Sequence, residues 1–267
     1  MMEKSFDERC AAFDENYPRV LEQIAQAAVQ AGRRPEEVTL LAATKTVPLE
    51  VVNHAISRGL SCIGENRVQE LLEKYDGLDR AHCDVQFIGQ LQTNKVKYLM
   101  GKVSCIQSVG SVRLAREISR LCQRENTTMK VLIEVNIGRE ESKSGIMIEA
   151  LPELLEEAAQ LPGLQIKGCV APEALLEVVD EVRQLPGIQV EGLMAIPPIC
   201  EDVKKLRGYF SAMRQSYVDI AAKKLDNVSM NCLSMGMSSD FPEAIACGAT
   251  MVRVGSSLFG KRVYPQH

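Results

Sequence analysis

The sequence contains no tryptophan, only six tyrosines and six phenylalanines, and only three histidines in 267 residues. His54, His82 and His267 lie far apart, which excludes an H-E-x-x-H site and a compact histidine cluster. The nine cysteines (Cys10, Cys62, Cys83, Cys105, Cys122, Cys169, Cys200, Cys232 and Cys247) are odd in number, scattered, and never spaced C-x-x-C. That pattern argues against a disulfide frame or a zinc site and suits buried thiols in a reducing compartment. No basic run exceeds two residues and the net charge is -4, so nucleic acid and anionic lipid are not expected partners. No apolar run approaches the roughly 18 residues of a membrane span, and the first residues, Met-Met-Glu-Lys-Ser-Phe-Asp, form no signal core. The expected location is cytoplasmic.

What is present is an alternation. With 46% hydrophobic and 25% charged residues, the chain can bury one large core, and α/β barrels reach about 250 residues without splitting. Residues 6–31 carry a helical apolar period ended by Gly32. Then follow a strand at 39–45, a helix at 48–58, a strand at 61–67, a helix at 68–75, a strand at 84–90, a helix at 93–100, a strand at 103–109, a helix at 111–125 and a dense apolar strand at 130–137. A run at 161–168, Leu-Pro-Gly-Leu-Gln-Ile-Lys-Gly, is echoed 24 residues later at 185–192 as Leu-Pro-Gly-Ile-Gln-Val-Glu-Gly. Each copy follows a Leu/Glu-rich helix, so a helix–strand unit reads as duplicated. A helix at 203–222, a strand at 228–236, a short helix at 240–246 and a strand at 250–255 complete the chain. These elements predict a single-domain (β/α)8 barrel over residues 1–267. Both echo strands together would make nine strands where eight close a barrel, so one copy is extra.

Three features carry chemistry. On the first strand Leu41, Ala43 and Lys45 share a face, so one amine ends an apolar row. Inside a barrel mouth, desolvation would make that amine a nucleophile toward an aldehyde; the plain alternative is a strand whose last residue reaches solvent. Two small-residue turns, 234–239 and 255–257, follow the last two strands, where barrels often hold a phosphate on backbone N–H groups. Taken singly, either turn is better accounted for by an ordinary strand-to-helix turn. Asp240 and Glu243 are spaced as a capping box. Arg253, on an apolar strand, needs an acceptor, either a structural carboxylate or a ligand such as a pyridine nitrogen.

The runs at 40–46 (Leu-Leu-Ala-Ala-Thr-Lys-Thr), 63–70 (Ile-Gly-Glu-Asn-Arg-Val-Gln-Glu), 87–95, 135–137 with 142–146, 192–197, 233–241 and 251–260 together resemble the pyridoxal phosphate homeostasis protein family, in order and over nearly the whole chain. Members of that family resemble the N-terminal barrel of alanine racemase. The resemblance implies that Lys45 forms a Schiff base with pyridoxal 5'-phosphate and that Arg253 faces the pyridine nitrogen. It further implies that Ser238, Gly255 and Ser256 bind the phosphate while Asn66 and Met194 line the ring pocket. The expected partners are pyridoxal phosphate, apo forms of enzymes that use it, and free amino acids, with a monomer as the expected state. The second echo copy, which carries Gly192-Leu-Met-Ala-Ile-Pro, is the one expected to complete the barrel.

The sequence departs from the family pattern at Gln86, where members commonly have histidine, in the 24-residue echo, and in a longer N-terminus. An arginine at the ring nitrogen opposes protonation there and so weakens carbanion chemistry. The chain also ends seven residues after Gly260, without room for the β domain that supplies a racemase's second acid/base group. A non-catalytic carrier or buffer of the cofactor is therefore expected. A weak amino-acid racemase and a cofactor-free barrel that binds a phosphorylated metabolite are the alternatives.

Overall fold

The computed structural model describes residues 5–136, 146–147 and 172–260. The first echo copy at 161–168, the 142–145 part of the 142–146 motif, Cys169 and His267 lie outside the described residues. The strands are β1 (Thr39–Ala43), β2 (Cys62–Glu65), β3 (Asp84–Phe87), β4 (Cys105–Val109), β5 (Met129–Asn136), β6 (Ile146–Met147), β7 (Ile188–Ala195), β8 (Val228–Met237) and β9 (Met251–Val254). The helices are α1 (Phe6–Gln30), α2 (Leu49–Ser57), α3 (Val68–Tyr75), α4 (Val112–Glu125), α5 (Pro172–Arg183), α6 (Val203–Ala222), α7 (Phe241–Ala246) and α8 (Ser256–Phe259).

Every pairing is parallel. β1 pairs with both β2 and β9, β4 pairs with β5, and β5 passes to β7, so eight strands close a barrel. The barrel strand after β5 is β7, which contains the second echo copy, as the Gly192 run led one to expect. β6 was not anticipated. It is a two-residue strand paired to the end of β5 at Val135 and Asn136, too short for a period to announce it. Gly192 has φ +148, and a Cβ there would meet the Cys232 carbonyl oxygen, so only glycine permits β7 to lie against β8 at the register shift beside it.

Two apolar layers follow from strand alternation. Alternate residues point outward into a large shell under the helices, anchored by fully buried Phe13, Phe87, Phe210 and Phe241. Burying each such side chain contributes roughly 1.5–3 kcal/mol. The others point inward, where Leu41, Cys62, Ile88 and Met251 form one small cluster and Cys105, Leu132 and Met194 another. α1 covers the β1–β9 seam: Phe13 stacks on Phe259 of α8 at 5.4 Å, and Asp14 accepts from His54 of α2 at 2.9 Å and from Arg58. The 93–100 segment is a 3-10 helix at Thr93–Tyr98 rather than an α-helix. The expected capping box of α7 does not form. Asp240 turns back to accept from the Met237 N–H at 2.5 Å, and Glu243 swings outward to Arg207.

Candidate functional site

β1 ends at Ala43, so Lys45 stands two residues beyond the strand, in a turn at the C-terminal end of the barrel. It continues the row of Leu41 and Ala43, both part of the inner cluster, and is half-buried. The turn is held from both sides. The Thr44 N–H donates to the Gly64 carbonyl (3.1 Å), and the Val47 N–H closes back on the Thr44 carbonyl (3.0 Å). Lys74 of α3 donates to the same Thr44 carbonyl (2.9 Å) and to Glu65 Oε1 (2.8 Å), while the Thr44 hydroxyl also donates to Glu65 Oε1 (2.7 Å). The Thr46 N–H donates to Glu70 (3.2 Å), which supports a left-handed φ of +63 that a β-branched residue rarely adopts. Burial holds the Glu65 carboxyl above the usual carboxylate range in spite of Lys74, which acts to lower it.

β9 lies beside β1, with Leu41 opposite Arg253. Arg253 is buried, two residues beyond the inner-cluster residue Met251. Its guanidinium donates to the Ser234 carbonyl and hydroxyl (2.8 Å each) and to the Ala195 carbonyl (2.9 Å). Backbone and hydroxyl oxygens thus supply acceptors that the sequence could not name. Burial pulls its pKa down to about 10, opposed by the negative charges of Glu134 and Asp240, and it remains charged near neutrality.

The turns after β8 and β9 come together. Ser238 Oγ accepts from the N–H groups of Gly255 (3.1 Å) and Ser257 (3.3 Å), and the Ser257 hydroxyl donates to the Ser238 carbonyl. One oxygen thus gathers two backbone donors, an arrangement that a phosphate oxygen can also adopt. Ser256 lies exposed between them, so Ser257 joins a cluster in which the family resemblance had implied Ser256. Asn66 continues the inward row of Cys62 and Gly64, and its Oδ1 is buried without a partner. A buried orphan acceptor facing the barrel interior fits a polar ligand there. Met194 is fully buried against Cys105 and Leu132. The residues present therefore fit a phosphorylated aromatic aldehyde: an amine, a charged donor set, two backbone N–H groups and an unpaired amide oxygen.

Sequence reasoning assigned no role to Glu65, Lys74 or Gln107, which bond across elements. The only sequence signal for Glu65 and Gln107 was a polar residue at a strand position where a buried parallel sheet expects an apolar one, and Lys74, on α3, carried none. At Gln86 an amide occupies the position where the family pattern has imidazole, and it points into the barrel toward Gln107 of β4 (2.6 Å).

Comparison with known proteins agrees with this architecture. The family model "Alanine racemase, N-terminal domain" matches residues 21–171 and 167–263. The pyridoxal phosphate homeostasis protein of Aquifex aeolicus is 43% identical over 250 residues, covering 94% of this chain and 98% of that protein. Its Escherichia coli K12 counterpart is 36% identical over 252 residues, covering 93% and 96%. The structure of PipY from Synechococcus elongatus with PLP bound superposes with a TM-score of 0.68 at 28% identity, covering 89% of this chain and all of that one. With the closed parallel barrel and the motifs that carried the resemblance, these matches establish that the chain belongs to the pyridoxal phosphate homeostasis protein family.

Proposed function

We propose that the chain holds pyridoxal 5'-phosphate at the C-terminal end of its barrel and acts as a carrier or buffer of that cofactor. The whole chain, 1–267, serves as one cofactor-holding domain in the cytoplasm. The observation that carries this reading is the pairing of β1 with β9, which brings the inward row ending at Lys45 beside the strand of Arg253 and the Gly255–Ser257 turn. The binding of PLP by PipY and the names of the relatives support it. Lys45 is the residue that joins the aldehyde as a Schiff base, amine and aldehyde condensing with loss of water. Gly255, Ser256 and Ser238 take the phosphate together with Ser257, and Asn66 and Met194 flank the ring.

Bound cofactor supplies an electron sink whose strength depends on a proton at its ring nitrogen. Arg253 donates and cannot accept, so it leaves that nitrogen unprotonated and the sink weak. The residues thereby favour holding and exchanging the aldehyde over turning over a substrate, with apo enzymes and amino acids as the acceptors. A weak racemase is the second reading, favoured only by the alanine racemase family match. An absorbance band near roughly 420 nm on loading with the cofactor, lost in Lys45→Ala, is expected. A band that persists in Lys45→Ala would sink the assignment. Conversion of L-alanine or L-serine followed by optical rotation, at about 10 per second, would replace the carrier by the enzyme.

A further inference from the structure

A continuous line of hydrogen bonds runs through the barrel from Arg253 to solvent at the opposite end. Arg253 Nη1 donates to Ser234 Oγ (2.8 Å), and Ser234 Oγ donates to Gln107 Oε1 (2.7 Å). Gln107 Nε2 donates to Gln86 Oε1 (2.6 Å), and Gln86 Nε2 donates to Asp84 Oδ2 (2.6 Å). Ser234, Gln107, Gln86 and Arg253 are buried; Asp84, at the start of β3, is exposed. The line has one permitted direction. A guanidinium can only donate and a carboxylate can only accept, so each group between them must accept on the Arg253 side and donate on the Asp84 side. The two ends thus fix the orientation of both amides and of the hydroxyl.

We infer that Ser234, Gln107, Gln86 and Asp84 act as one positioning unit that orients Arg253 toward the cofactor ring, and that Gln86 makes this unit insensitive to pH. The inference rests on the cofactor reading above. Its key is the chemistry of the Gln86 position, which must accept from Gln107 and donate to Asp84. An amide does both at every physiological pH. Neutral imidazole also does both, one ring nitrogen accepting and the other donating, but imidazolium only donates. Protonation at this position would therefore leave the Gln107 amide facing a donor and reverse the line.

The groups facing Gln86 do not supply a competing titration near neutrality. From β2 comes the Cys62 thiol, 3.6 Å from Nε2, and from β4 Cys105 lies opposite in the register, both pushed far up by burial. Gln107 is neutral, and Asp84 on the same strand is the acceptor already counted. Beyond contact distance, the Cys232 thiol of β8 is pushed up to about 12. Arg253 stays charged, and Glu134 and Asp240 act on it from the far end of the line.

The test uses the full-length chain loaded with pyridoxal phosphate, comparing the absorbance maximum and the cofactor dissociation constant at pH 6 and pH 8. Wild type should be flat between the two. Gln86→Leu, which cuts both links, should shift the maximum and weaken binding about tenfold at both pH values. Gln86→His should match wild type at pH 8 and fall to the Gln86→Leu values at pH 6. Ser234→Ala, which cuts the line next to Arg253 with little change of volume, should behave as Gln86→Leu and stands in for it if that variant does not fold. Identical maxima and affinities in wild type, Ser234→Ala and Gln86→Leu would overturn the inference, as would a Gln86→His chain no more pH-sensitive than wild type. A purely structural role would lower the melting temperature of the unloaded variants without moving the absorbance maximum. Failure of the cofactor reading is distinct, since wild type would then give no band that depends on Lys45.

Discussion

Lys74 Nζ lies 2.8 Å from Glu65 Oε1, beneath α3 and out of water, and the same ammonium donates to the carbonyl of Thr44, the residue before Lys45. An ion pair on the helix side of the sheet therefore fixes the backbone from which Lys45 springs. Glu65 Oε2 remains buried without a partner, so the carboxylate depends on Lys74 and Thr44 for its compensation.

Removing one member of such a pair strands the other. Lys74→Met should cost about 3–5 kcal/mol, because it leaves a buried carboxylate uncompensated. Urea unfolding should show this as a lower midpoint, and the Thr44–Val47 turn should exchange its amides faster than in wild type.

Burial raises the Glu65 carboxyl in the folded chain above its ordinary 4.5. Only between the ordinary and the raised value does the folded state hold a proton that the unfolded state has already lost. The stability from this group is complete below that ordinary value and is lost as pH rises through the raised one. Glu65→Gln should flatten that part of the stability–pH curve, measured by urea unfolding at a series of pH values.

The opposite sign applies to Asp14. A hydrogen bond from His54, with Arg58 also bonded, holds its carboxyl below the usual range. Stability from Asp14 is present above the ordinary carboxyl value and is lost as pH falls through the depressed one. Asp14→Asn should therefore destabilise the chain at pH 7 and become neutral under strongly acidic conditions. Thermal melts at the two extremes check it.

Thr46 carries a left-handed φ of +63 with a branched Cβ. Thr46→Gly should relieve the strain and, after the entropy that glycine costs, stabilise the unloaded chain by roughly 0.5–1 kcal/mol. The same change should loosen the Lys45 turn and lower cofactor affinity, read by titration with pyridoxal phosphate.

Ser238 Oγ is the meeting point of the Gly255 and Ser257 N–H groups. Ser238→Ala removes a hydroxyl that can donate to a phosphate, and hydrogen bonds to charged groups contribute about 1.5–3 kcal/mol. Pyridoxal phosphate should bind at least about tenfold more weakly, while pyridoxal without its phosphate should bind equally well to both chains.

Local periodicity sufficed for much of this molecule. The alternation of apolar strands with amphipathic helices forces a parallel sheet, because each strand buried on both faces needs a helix on one of them. Strand parity put Lys45 in one row with Leu41 and Ala43, since side-chain direction on a strand is a property of the backbone alone. The family resemblance of the Gly192-Leu-Met-Ala-Ile-Pro run singled out the second echo copy, and the φ of +148 at Gly192 shows why no other residue serves there. Tertiary structure decided the rest. The capping box of Asp240 and Glu243 was correct as spacing and failed because Arg207, 36 residues away in the chain, draws Glu243 outward. Nothing in the 68–75 helix pattern marked Lys74, whose partner Glu65 is supplied by β2. The acceptors of Arg253, on β7 and β8, and the line from Ser234 to Asp84 join residues up to 127 positions apart. No periodicity encodes such bonds. Each polar side chain inside a barrel must find its partner across the interior, and which partner lies within 3 Å is fixed only when the last strand closes on the first.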